Sequence, residues 1–178
     1  SEMCIRDRLE IPLETVEYAL SKAKEFGKMT ILNPAPAVKL SDDIIKKSDI
    51  IIPNESELGV ITGLEVDTKE HIQKAAKKLL EMNVKNLIVT LGSSGSLHVN
   101  KDTEEFHSAY KVKAIDTTAA GDSFIGGFIR AYSEDNIGEA IEFATKVSAI
   151  VVTRRGAQTS IPTIEEVENF KGDKNEKK

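Results

Sequence analysis

The chain has 178 residues, 40% of them hydrophobic, which suits one globular domain with an aliphatic core, since aromatics are few and tryptophan is absent. A formal net charge of −5 argues against nucleic acid as a partner, because phosphate backbones select basic surfaces. No apolar run reaches membrane-spanning length, and a single cysteine, Cys4, excludes an internal disulfide framework and suits a reducing cytoplasm.

Ser1–Arg8 mixes charges where an apolar strand would be expected, and reads as a non-native junction, with a divergent strand as the alternative. Leu13, Val16, Leu20, Ala23 and Phe26 recur at helical spacing after Pro12, with Gly27 as a stop. Met29–Leu32 is a short apolar strand entering a proline-rich turn. Ser41 caps a short helix through Lys47, Asp49–Ile52 is a buried strand, and Asn54 starts a helix ending near Gly63. Ile72, Ala75, Ala76, Leu79 and Leu80 mark a further helix face. Asn86–Thr90 follows as a continuous apolar strand of the kind covered on both faces. Gly92-Ser93-Ser94-Gly95 is a tight turn, and Ser96–Asn100 with Glu105–Ile115 suggests antiparallel strands. Helices are expected over Gly121–Ser133 and Ile137–Thr153, Thr163 caps a last one, and the charged tail reads as disordered. The three histidines, His71, His98 and His107, show no metal-ligand spacing.

Alternating helices and buried strands give an α/β domain with a mainly parallel sheet, whose ligands sit beyond the carboxyl ends of the strands. Asn54, Gly92 and Asp116 all fall there, which draws attention to Asp116-Thr117-Thr118-Ala119-Ala120-Gly121-Asp122. Small residues at a helix start leave backbone N–H groups open to an anion, and the helix dipole favours negative charge there. An acid inside such a turn would repel a bound phosphate. It makes sense if a hydroxyl must lose its proton beside a phosphoryl group under attack. Alone, Asp122 is an ordinary helix-start acid; within the whole string the functional reading wins.

Asp116–Asp122 resembles the second signature of the ribokinase (PfkB) family of sugar and nucleoside kinases, roughly D-T-x-G-A-G-D, with Ala119 where many members have glycine. Asn33-Pro34-Ala35-Pro36-Ala37, Asn54-Glu55-Ser56-Glu57 and Thr153-Arg154-Arg155-Gly156-Ala157-Gln158 resemble the family's N-P-A-P-A, N-x-x-E and T-R-x-G-A-Q. The resemblance implies a three-layer ribokinase-like α/β fold, of which this chain, over residues 9–168, is the C-terminal part. The N-terminal part and the β lid would be missing, and 169–178 would be the charged tail.

The resemblance also implies an activity: ATP-dependent phosphorylation of D-ribose at the 5-hydroxyl. N-P-A-P-A and T-R-R-G-A-Q favour this over fructokinase or adenosine kinase relatives. Another sugar kinase of the family, or a noncatalytic nucleotide-binding fragment, are the alternatives. Asp122 would be the catalytic base, with the N–H groups of Ala119, Ala120 and Gly121 holding the transferring phosphoryl. Asn54 and Glu57 would hold ATP phosphates and Mg²⁺ through water, although their spacing suits a capping box equally well. Thr90 and Gly92 would contact ATP, as would Gly95 in the same turn, and Lys146 is the nearest candidate for the adenine pocket. Asp116 and Thr118, with Val151, Thr153, Gly156 and Ser160, would hold K⁺ as a monovalent activator, although Asp116 also fits a simple Asx turn. Glu10 would touch the sugar. Arg154-Arg155 reads as a surface pair. The intact protein would be a cytoplasmic homodimer through its lid, without membrane or nucleic-acid partners, and this chain alone would be inactive and prone to aggregate.

Overall fold

A computed structural model describes residues 5–175, with backbone only for 5–8. Cys4 and the rest of 1–4 lie outside the described residues, as do 176–178. The chain divides into two compact units, Ser1–Leu91 with Leu97–Phe106, and Gly92–Ser96 with His107–Lys178.

Among the described residues the sheet has six strands in sequence order: β1 (Ile5–Arg8), β2 (Thr30–Asn33), β3 (Ile50–Ile51), β4 (Asn86–Thr90), β5 (Gly95–Val99) and β6 (Glu104–Ser108). β1 to β4 pair in parallel, with Ile5 opposite Thr30, Ile31 opposite Ile50 and Ile51 opposite Leu87. The segment expected to be a junction therefore contributes an edge strand. β5 and β6 are joined by a turn closed by the Asn100 N–H on the Thr103 carbonyl (2.9 Å); so short a link between neighbours permits only antiparallel pairing.

The first unit carries α1 (Leu13–Glu25), α2 (Asp42–Lys46), α3 (Glu55–Thr62) and α4 (Lys69–Leu80). Most of the periodic apolar residues face inward as expected: Val16, Leu20, Ala75, Ala76 and Leu79 join Leu32, Ile51, Leu87 and Val89 in one aliphatic core, whereas Leu13 and Phe26, at the two ends of α1, are exposed. α1 ends before Gly27, whose φ of +61° suits a glycine stop. The second unit carries α5 (Ala120–Ala131), α6 (Ile137–Val151) and α7 (Ile164–Asn169). α5 and α6 approach closely because Gly127 has no side chain: an added Cβ would lie 3.0 Å from Val147 and 3.1 Å from the Ala144 backbone.

Two segments depart substantially from expectation. The strand expected to run to Ile115 stops at Ser108, because Lys111, Lys113, Ala114 and Ile115 are exposed and have no buried face to contribute. The tail expected to be disordered is ordered to Asn175, pairing with the segment after β6: the Lys111 N–H donates to the Asp173 carbonyl (2.7 Å) and the Asn175 N–H to that of Ala109 (2.8 Å).

At the amino ends of the parallel strands lies a charge cluster that the sequence reading did not single out. Asp49, just before β3, accepts from Lys24 Nζ (2.5 Å), the Thr30 N–H (3.0 Å) and the Thr30 hydroxyl (2.9 Å), and pairs with Lys85 (2.8 Å). Burial alone would raise its pKa, but Lys24, Lys85 and Thr30 outweigh that and hold it at about 2, against the ordinary 3.8. The depressed value means that the contribution is full above pH 3.8 and fades as pH falls toward about 2; the side chain is only 10% exposed, so it is worth on the order of 2 kcal/mol. Across that window the parent chain is expected to lose more stability than Asp49→Asn, read as the denaturant midpoint at each pH. Parallel pH curves for the two would remove Asp49 from this role.

Candidate functional site

In the first unit, Asn54 and Thr90 meet at the carboxyl ends of β3 and β4. They form an isolated parallel bridge, and the Thr90 N–H donates to the Pro53 carbonyl (2.9 Å). Asn54 and Glu57 make a complete capping box at the start of α3. Asn54 Oδ1 accepts the Glu57 N–H (2.8 Å), and the Glu57 carboxylate accepts both the Asn54 N–H (2.8 Å) and Nδ2 (2.9 Å). The capping reading, which spacing left open, is therefore realised. It does not exhaust the carboxylate, which has about four lone-pair directions. Held in place and buried, Glu57 fits an outer contact to hydrated Mg²⁺ better than direct ligation. Glu10 is exposed and follows Leu9, whose N–H donates to the Ala35 carbonyl (2.9 Å), so it adjoins the Asn33–Ala37 turn.

The second unit holds the remaining predicted residues. Ala119 is the N-cap of α5 and adopts a left-handed conformation, φ +62° and ψ +7°, without a side-chain cap. This is where family members with glycine bear no Cβ penalty. Helix geometry leaves the first N–H groups of α5 without an intrahelical acceptor. One of the three expected phosphoryl donors is partly engaged: the Ala120 N–H reaches the Thr117 carbonyl at 3.2 Å. Gly121 is exposed, and an added Cβ there would meet nothing within 4 Å, so an anion can approach its backbone. Asp122, in the first turn, is half-buried, neither sealed away nor fully in water.

Asp116 ties two distant segments together. Its Oδ1 accepts the Thr118 N–H (2.9 Å), an Asx turn, and its Oδ2 accepts the Gly156 N–H (3.1 Å). These bonds, Thr118 first and Gly156 with it, hold its pKa below the ordinary carboxylate range. The Val152 carbonyl accepts the N–H groups of Ile115 (2.7 Å) and Asp116 (3.2 Å). The segments predicted to share a monovalent cation thus do adjoin. Ser160 is fully buried and donates to the Ala157 carbonyl (2.8 Å), Thr153 donates to Ile150 (2.6 Å), and the Val151 carbonyl accepts the Arg154 N–H (3.0 Å). The candidate ligand atoms of these segments are all oxygens, one of them a carboxylate's, a donor type that suits a hard cation and not a soft metal.

Gly92 and Gly95 serve different purposes. Gly92, φ +53°, has open space where a Cβ would stand, as a nucleotide-contacting backbone requires. Gly95, φ +119°, has the His107 carbonyl oxygen 2.0 Å from that position, so its glycine identity is explained by the approach of the neighbouring backbone. Lys146 is half-buried on α6, where its charge helps to lower the Glu142 pKa. Arg154 pairs with Glu166 (2.6 Å), in keeping with the surface-pair reading.

A sequence model described as the pfkB family of carbohydrate kinases matches residues 8–164. The chain belongs to this family. It is 41% identical over 162 residues to a ribokinase of Staphylococcus aureus, covering 90% of this chain and 53% of that protein. Among solved structures it is similar to ribokinase from Thermotoga maritima, at 46% identity and a TM-score of 0.82, covering 93% of this chain and 55% of the other. It is also similar to an Arabidopsis thaliana ribokinase complexed with ribose and ATP, at 28% identity and a TM-score of 0.86, covering 94% of this chain and 56% of the other. The chain spans about half the length of these PfkB relatives, and the three-layer α/β class expected from its motifs is theirs.

Two other features of this PfkB chain carry none of the predicted residues. Glu65, Asp67 and His71, before and within the start of α4, have ligand-type atoms within 4.8 Å of one another, a grouping that linear spacing did not reveal. Asp67 and His71 bond to each other (2.5 Å) and secure the helix entry. A surface concavity of about 500 Å³ is lined by Leu64, Glu70, Lys74, Lys77 and Lys78. Its walls are long charged side chains, not the few fixed polar groups of a ligand site.

Proposed function

We propose that the protein to which this chain belongs transfers the γ-phosphoryl group of ATP to the 5-hydroxyl of D-ribose. The observation that carries this reading is the turn at the head of α5, in a chain of the PfkB family: an approachable backbone at Gly121 and a half-buried carboxylate one residue beyond it. In this reading Asp122 takes the proton of the attacking sugar hydroxyl. The N–H groups of Ala119, Ala120 and Gly121 hold the charge of the moving phosphoryl, each fixed donor worth roughly 3 kcal/mol in the transition state. Because the Ala120 N–H already leans on Thr117, Gly121 is assigned the larger share. Asn54, Thr90 and Gly92 bind ATP, and Lys146 lies toward the adenine. Glu10 accepts ribose hydroxyls.

Glu57, through water, would hold Mg²⁺, which neutralises phosphate charge. Asp116, Thr118, Ser160 and the carbonyls of Val151, Thr153 and Gly156 would hold K⁺, which adds positive potential near the phosphate turn. Identity of 41% to a ribokinase supports ribose as acceptor. The test is ADP release by the intact enzyme across ribose, 2-deoxyribose, fructose and adenosine, in K⁺ and in Na⁺ at constant ionic strength. Ribose should give the highest kcat/KM, and K⁺ should raise the rate. Preference for fructose would move the assignment to another sugar kinase of the family, and no ADP release with any of these acceptors, in a protein that still binds ATP, would leave only a nucleotide-binding role.

A further inference from the structure

The end of the described chain does more than trail. Past Phe170 it runs beside Ala109–Lys111, with Tyr110 and Lys174 in antiparallel register. The Phe170 ring meets Tyr110 edge-on, centres 5.0 Å apart, and Gly172 fits beneath them, its absent Cβ 3.1 Å from Phe170 and 3.2 Å from Tyr110. Lys174 binds the Glu142 carboxylate on α6 (2.5 Å), which also accepts the Tyr110 hydroxyl. Asn175 Nδ2 donates to the Ser93 carbonyl (2.7 Å).

A charged stretch of this composition does not order itself. Its exposed ion pair contributes little. The backbone bonds and the ring contact hold it down, and its two outermost side chains then reach two separate places. Asn175 holds the Gly92–Ser94 turn. Lys174 holds Glu142 on α6, and α6 in turn donates from the Ser148 hydroxyl to the Ala120 carbonyl (3.0 Å) at the head of α5.

We propose that Phe170–Asn175 is a nucleotide-positioning strap, in which Asn175 and Lys174 fix the Gly92–Ser94 turn relative to the phosphate turn that opens α5. The proposal rests on the reading of both turns as ATP contacts. A turn flanked by two glycines at positive φ is intrinsically loose. Small misplacements of a ligand-holding group are costly in rate and affinity, so an anchor on the Ser93 carbonyl has a purpose beyond covering Tyr110.

The test compares the intact protein with a version of it ending at Phe170 and with its Asn175→Ala and Asn175→Gln variants, by amide hydrogen exchange at Gly92–Ser96, ADP titration and thermal midpoint. Loss of one hydrogen bond corresponds to about a fivefold effect. Truncation and Asn175→Ala should speed exchange in the turn and weaken ADP binding by at least that factor. Asn175→Gln, which keeps the amide donor, should recover part of both. Lys101→Ala, in the β5–β6 turn, should move neither. Unchanged exchange and unchanged ADP affinity in the truncated chain would overturn the proposal even if its midpoint fell, because the strap would then be only a cover. Faster exchange in a protein whose parent form binds no ADP would instead defeat the ATP reading, and the nucleotide role with it.

Discussion

Asp122→Asn in the intact enzyme is expected to lower turnover by about 10²–10⁴-fold while ADP affinity stays near that of the parent. Asparagine keeps the shape of the side chain in the first turn of α5 but cannot accept the sugar proton. The acid–dipole interaction lost at the helix start is worth about 0.3–1 kcal/mol, small beside the expected loss of turnover, so thermal midpoint and kcat should separate. The measurement is kcat, KM for both substrates and ADP affinity, taken side by side. Turnover within about tenfold of the parent would take the proton-accepting role away from Asp122.

Gly95→Ala is expected to be the most damaging single methyl group in the second unit. The added carbon would sit 2.0 Å from the His107 carbonyl oxygen and 2.8 Å from the Ala109 nitrogen, and both are backbone atoms that cannot swing aside. Together with a φ of +119°, this should cost about 3 kcal/mol or more, a large share of the 5–15 kcal/mol typical of a domain. Gly92→Ala provides the contrast. There φ is +53° and no atom lies within 4 Å, so the stability loss should be about 1 kcal/mol, with ADP affinity the quantity that changes. Chemical denaturation of both variants distinguishes them; equal losses would show that the close approach at Gly95 relaxes at little cost.

The contrast also shows which parts of this protein could be read before its structure was known. Helices with a one-sided apolar pattern, such as α1 and α4, were legible because burial follows the helical period, and the end of α1 was marked by Gly27; the Thr68 cap of α4 came only with the structure. The Asp116–Asp122 string was legible because its chemistry is local: a turn, a helix start and an acid follow one another in sequence. The two glycines of the 92–95 turn looked alike in sequence, since a string does not show that His107 will pass behind one of them. Asp49, Thr30, Lys24 and Lys85 come from separate elements, and no periodicity announces that they will meet. The strap was misread for the opposite reason. Lys171–Lys178 has the composition of a solvated tail, and the placement of its described part, 171–175, comes from pairing with Tyr110 and packing on Phe170, both outside that stretch. The capping box at Asn54 was one of two readings allowed by spacing, and only geometry showed that both carboxylate oxygens of Glu57 turn back to Asn54.

The Asp49 cluster sits at the amino ends of β2, β3 and β4, whereas Asn54 and Thr90 occupy the carboxyl ends of β3 and β4. Scaffold stability and the proposed nucleotide end can therefore be altered separately in this unit. Variant libraries seeded around Thr30, Lys24 and Lys85 should harden or soften the scaffold without disturbing the end that carries Asn54 and Thr90.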